Sequence, residues 1–123
     1  MSIISTRIVR DSADVDIAIV GAVGEGKPVS EVIAKPSNHK DAAAFKVTAI
    51  FHSVESGVKL RLYWEGEDDH TLILPLEGRG ILDLTRFGGL EDPRLPGWTG
   101  SILLHAEGSG HFALSLELSK QRI

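Results

Sequence analysis

The sequence predicts an all-β, single-domain antiparallel β-sandwich, jelly-roll-like, of about eight strands. Three observations predict it. The dominant hydrophobic period is two, in runs of four to eight residues. Each run ends in Gly, Ser, Asp or Glu turn chemistry. No long 3.6-residue period is present, which removes the helical layers that an α/β fold needs.

Taken in order, STRIVR alternates weakly, VDIAIV reads as a buried strand and VSEVIA as a short third run. KPSNHKDAAAF reads as a long loop with one helical turn at residues 41–44. KVTAIFHS puts Val47, Ala49 and Phe51 on one face. In VKLRLYW, Val58, Leu60, Leu62 and Trp64 oppose Lys59, Arg61 and Tyr63. TLILPL places Leu72, Leu74 and Leu76 together. Its Pro75 has no N–H to donate, so one side of that strand is expected to be open or bulged. ILDL offers Leu82 and Leu84; SILLHA aligns Ile102, Leu104 and Ala106; HFALSLEL aligns Phe112, Leu114, Leu116 and Leu118.

The faces also agree across the turns. Folding the chain at residues 54–57 sets Phe51 against Leu60, Ala49 against Leu62 and Val47 against Trp64. Folding it at residues 106–110 sets Leu104 against Phe112 and Ile102 against Leu114. A slip of one residue would put leucines in water. The glycine-bearing EGEDDH and EGRG are expected to close two further hairpins.

Composition bounds the function. A chain of 123 residues is long enough for one core. With 42% hydrophobic and 24% charged residues it has the make-up of a folded globular protein. It has no cysteine, so neither disulfides nor thiolate chemistry. Net charge is −4 and no basic patch is visible, which argues against a nucleic-acid partner. No apolar run reaches membrane-spanning length, and MSIISTRIVRDS lacks a signal-peptide pattern. The expectation is a soluble, intracellularly made protein that binds neither nucleic acid nor membrane.

Three motifs invite sharper readings. GAVGEGK, residues 21–27, has the spacing of a phosphate loop, but Pro28 stands where Ser or Thr must hold magnesium. The helix such a loop opens is missing too, so a flexible hairpin loop is the better reading. EGEDDH, residues 65–70, lacks the ligand spacing of a calcium loop and reads as a solvated turn. His105 and His111 face each other in the register above. With Glu107 as the local third ligand they could begin a zinc site; the pair reads rather as an outer-face contact. No nucleophile elbow or metalloprotease helix is present, and Glu91 and Asp92, adjacent on an extended chain, diverge. The chain is expected to be non-enzymatic, with no catalytic residue, cofactor or metal.

RFGGLEDPRLPGWTG, residues 86–100, is the most distinctive stretch. Gly88 and Gly89 permit positive φ, and Pro93 and Pro96 stiffen the chain. Arg86 or Arg94 can pair with Glu91 or Asp92 across the bend. The stretch reads as a corner carrying the chain from one sheet to the other. Its outer side reads as a protein contact, because Trp and Arg are preferred anchors. The interface candidates are Arg86, Phe87, Leu90, Arg94 and Trp98, with His105 and His111 beside them.

KVTAIFHSVESGVKLRLYWEG, LILPLEGRGILDLTRFGGLEDP and GWTGSILLHAEGSGHFALSLELSK together resemble a group of small virion structural proteins of tailed bacteriophages. The likeness spans residues 45–120. It implies a β-rich accessory component of the particle, foremost a capsid decoration (cement) protein on the outer surface of the capsid. The implied partners are the major capsid protein or other virion subunits, with self-association into a homo-oligomer. A neck or tail position is the alternative. Residues 1–44 match nothing in that group and read as an extended arm or adapter. A carbohydrate-binding sandwich is a further alternative, but Trp98 and Tyr63 alone make a poor sugar platform if Trp64 faces inward. A small barrel-type enzyme would need polar side chains converging in a concave site.

Overall fold

The computed structural model describes residues 3–24 and 26–122. Its strands are β1 (Ile3–Asp11), β2 (Asp14–Val23), β3 (Val29–Ala34), β4 (Ala44–Val54) and β5 (Val58–Gly66). They continue with β6 (Thr71–Leu76), β7 (Arg79–Asp83), β8 (Leu90–Glu91), β9 (Trp98–Gly108) and β10 (Gly110–Gln121). Strand accounts for 68% of the described residues, which makes the fold all-β as expected, with ten strands among them rather than about eight. The first sheet runs β1-β2-β10-β4-β7, with the short β8 also on β4; the second runs β3-β9-β5-β6.

The pairing is nested. β5 pairs with β6, β4 with β7, β3 with β9 and β2 with β10, all antiparallel. Successive nested pairs alternate between the two sheets. The chain is thus one long antiparallel ribbon rolled on itself, the winding of a jelly roll. β1 and β8 are additions to that eight-strand plan.

The apolar stripes of both sheets meet in one core. Val15, Ile17 and Ile19 of β2, Ile50 of β4, Leu60 and Leu62 of β5, Ile102 and Leu104 of β9, and Leu116 and Leu118 of β10 are each at most 1% exposed. Burying a side chain of this kind is worth roughly 1.5–3 kcal/mol, so these stripes supply the main driving force.

Several registers differ from the sequence expectation. Residues 54–57 and 106–110 do not close hairpins: β4 and β10 lie in the first sheet, β5 and β9 in the second. EGRG likewise crosses between sheets, whereas EGEDDH does close the β5–β6 hairpin. Ile102, Leu104, Phe112 and Leu114 do point inward, across the sandwich rather than along one sheet.

Two bulges change faces. The register steps from Glu117↔Ala49 to Leu118↔Val47, leaving Thr48 as an extra residue in β4. Val47 stays inside, Ile50 becomes the next core residue, and Phe51 is turned out to 47% exposure. In β6 the step from Leu74 to Leu72 leaves Ile73 extra, so Leu72 faces solvent while Leu74 and Leu76 face the core. Pro75 lies on this bulged edge strand, as its missing donor requires.

The first third is more integrated than an arm. β2 lies between β1 and β10, and β3 pairs with β9 and buries Ile33 and Ala34. β1 and β3 are edge strands of their sheets, and β1 is exposed along nearly all of its length. The helical turn sits at Pro36–Asn38 rather than at residues 41–44, and Ala44 already opens β4. Pro36 at its first position suits a helical start. GAVGEGK ends β2 and crosses to the second sheet instead of closing a hairpin; its Glu25 lies outside the described residues.

Candidate partner-binding surfaces

The corner at residues 84–97 does carry the chain from the first sheet to the second. Asp83 starts it by accepting hydrogen bonds from the Thr85 hydroxyl and the Thr85 N–H, which together hold its carboxyl below the usual range. Gly88 and Gly89 then turn the chain at φ 77° and 84°. A Cβ on Gly89 would stand 2.5 Å from the Lys46 side chain, so only glycine lets the corner lie against β4.

That approach allows β8 to pair with β4, Lys46 opposite Glu91 and Val47 opposite Leu90. Lys46, not an arginine, is the partner of Glu91, at 3.1 Å. Its hydrogen bond and charge hold the Glu91 carboxyl below the ordinary range. Leu90 packs against the core and is withdrawn from the outer side of the corner. Asp92 is buried, and its Oδ1 accepts the Arg94 N–H at 2.8 Å. Arg94 has φ 55° and carries its guanidinium 5.4 Å from the centre of the Trp98 ring. Of the predicted contact residues, Arg86, Phe87 and Arg94 are exposed, Phe87 at 80%. Trp98 is half-buried and opens β9 opposite Gly66. It lines a cleft of about 320 Å³ between the corner and the β5–β6 turn.

His105 and His111 are not neighbours, because β9 and β10 lie in different sheets. The expected outer-face pair therefore does not form. His105 Nδ1 is 2.6 Å from the Ser30 hydroxyl, across the β3–β9 pairing. Its Nε2 is 3.9 Å from Glu107, too long for a hydrogen bond, so no closed Ser–His–acid relay results. His111 donates from its ring and its backbone to Glu55, and these bonds lower the Glu55 pKa. Among the described residues no group of three or more His, Asp or Glu is placed to hold a metal ion. Trp64 is 5% exposed, and Tyr63 lies against His70 with ring centres 6.3 Å apart.

One surface had no sequence signal. On the outer face of the first sheet, one row runs Ala18, Ser115, Phe51, Ile81, and the adjacent row runs Val20, Ala113, Ser53, Arg79. Small residues floor a shallow groove of about 400 Å³, and Val20, Phe51 and Ile81 rise beside it at 57%, 47% and 68% exposure. Neighbouring strands supply it, so only the register could reveal it. Exposed apolar residues this closely grouped mark interaction surfaces.

Fold and surfaces together define a jelly-roll sandwich with an apolar interior. Comparison with known proteins returns no match: neither a family model, nor a curated protein, nor a solved structure.

Proposed function

We propose that the chain is a non-catalytic structural component of a tailed-phage virion, a capsid decoration (cement) protein that binds and stabilises the major capsid lattice. A neck or tail position in the same particle is the alternative. The observation that carries the binding half of this reading is the apolar groove around Val20, Phe51 and Ile81 on the outside of the first sheet. Such a surface gains stability when another subunit covers it. The virion half rests on the resemblance of residues 45–120, which the jelly roll suits, since capsid proteins use this winding among others. Two features weigh against the other users of the fold. The interior is filled by Ile, Leu, Val and Phe side chains, leaving a barrel-type enzyme without a polar inner site. A lectin-like platform lacks its row of aromatics, because Trp64 is buried.

Electron microscopy of particles with and without the added protein tests the proposal. Regular density over the shell is the expected result. Density at a vertex or the tail would move the protein to the neck or tail, and no density would reject the virion reading. Phe51→Ser with Ile81→Ser is expected to abolish particle binding while leaving the fold intact.

A further inference from the structure

We infer that the free edge of β1 pairs with the β1 edge of a second copy of this chain, antiparallel and centred on Thr6. The first sheets of the two copies then run on as one across a two-fold axis. The inference stands apart from the virion reading, which rests on the outer face of that sheet and not on its edge.

The edges of the two sheets are not alike. β6 carries Pro75 and a bulge. β3 is six residues long, with Glu31 exposed in its middle and a register shift at Ile33. β7 has five residues with a charge at each end. Such features blunt an edge. β1 has nine residues, of which all but Ile4 are exposed. Its bulge lies at Val9, so residues 3–8 form a regular run, with β2 on one side and no strand on the other among the described residues. The run has no proline, glycine or lysine, and Arg7 is its one charge. Alternate residues of such a run turn both N–H and C=O away from β2, and another extended strand completes those groups.

The side chains select the second strand. Ile4, Thr6 and Ile8 lie on the core-facing side, opposite Gly21, Ile19 and Ile17, and Ile3, Ser5 and Arg7 lie on the outer side. Ile4 packs against the core, whereas Ile8 is 49% exposed, beyond the cover of the second sheet. Centring two antiparallel copies on Thr6 sets Ile4 against Ile8 of the second copy, Ser5 against its Arg7 and Thr6 against its Thr6, with Ile3 near its Val9. The exposed Ile8 of each copy is then covered by Ile4 of the other, and the apolar layer continues from copy to copy. Centring on Arg7 would set the two Arg7 side chains face to face and Ile4 against Arg10; centring on Ser5 would set Ile3 against Arg7. Centring further along meets the Val9 bulge. One register thus joins apolar to apolar and keeps like charges apart, and this chain's own strand supplies it. A ladder this short belongs to the small, weak class of interfaces, so association in the micromolar range is expected.

Sedimentation equilibrium of the full chain, from micromolar to millimolar concentration, tests the pairing. A reversible monomer–dimer equilibrium is expected. Ile8→Lys sets a charge against Ile4 of the other copy and should weaken the dimer at least tenfold. Ser5→Glu faces Arg7 and should tighten it at least threefold. If Ile8→Lys fails to fold by circular dichroism, Ser5→Lys, which also faces Arg7, carries the same expected loss. The chain has no cysteine, so Thr6→Cys, which meets itself across the axis, should give a covalent dimer with oxidised glutathione. Phe51→Ser with Ile81→Ser should leave the dimer intact; its loss in that variant would overturn the edge in favour of the outer face. A monomer at every concentration, or a dimer indifferent to both Ile8→Lys and Ser5→Glu, would overturn the pairing outright. A protein that dimerises but leaves particles bare retains the pairing and rejects only the virion reading, and one that coats particles as a monomer does the reverse.

Discussion

At the scale of single residues, close approach and charge pairing constrain particular positions around the apolar core. Gly21 is an example. A Cβ there would lie 2.4 Å from the Phe112 ring and 2.7 Å from the Ile3 carbonyl oxygen. Gly21→Ala should therefore cost about 1–3 kcal/mol, as over-packing does, read from the urea midpoint. A neutral substitution would show that β1 moves aside freely. Asp11 is a second case. Lys120 bonds it at 2.7 Å and the buried His39 donates to it at 2.8 Å. Those bonds, Lys120 first, lower its pKa. A depressed carboxyl contributes stability in full above the ordinary carboxylate range of about pH 4, and loses it as pH falls through the folded-state value. The stability gap between the wild type and Asp11→Asn should thus narrow on acidification, measured by urea unfolding from about pH 6 downward. A gap independent of pH would contradict this.

At the scale of elements, the bulges set which face each strand shows. Thr48 is the extra residue of β4, and Val47 and Ile50 would remain opposite Leu118 and Leu116 without it. Deleting Thr48 is therefore expected to leave a folded protein with its inner face unchanged. Deleting Phe51 turns the following residues, Val54 among them, to the wrong side, and is expected to abolish folding. Circular dichroism and urea titration of both deletions check the contrast; an unfolded Thr48 deletion or a stable Phe51 deletion would refute the register. The edges follow the same logic. Val9 is the extra residue of β1, and Arg10 pairs with Asp16 at 2.9 Å beside it. A bulge and a charge on an open strand hinder pairing with stray chains.

At the scale of the whole molecule, nesting makes the fold cooperative and slow. β2 cannot be completed until β10 arrives from the far end of the chain. Loop closure over such distances comes before the contacts that reward it. A single thermal transition is expected, with a heat-capacity change of about 1.5–1.8 kcal/mol/K, scaled at roughly 12–15 cal/mol/K per residue. Refolding on the millisecond-to-second scale is expected by stopped flow. Two separated transitions would mean that the two sheets do not share one core.

The amino-acid sequence by itself determined where most of the strands lie, which side of β5, β7, β9 and β10 is buried, and that the stretch beginning near Arg86 carries the chain between sheets. Each of these depends on neighbours along the chain: leucine at every second position, glycine and proline at the bends. The pairing of strands, the faces of Phe51 and Leu72, the separation of His105 from His111, and the grouping of Val20, Phe51 and Ile81 were decided only by the tertiary structure. A period of two is the same whichever strand lies alongside, and one extra residue in a bulge inverts it without marking the sequence. Asp92 shows the same limit from the other side: a polar residue in a turn-rich stretch, it becomes a buried, half-satisfied carboxyl only once β8 docks on β4.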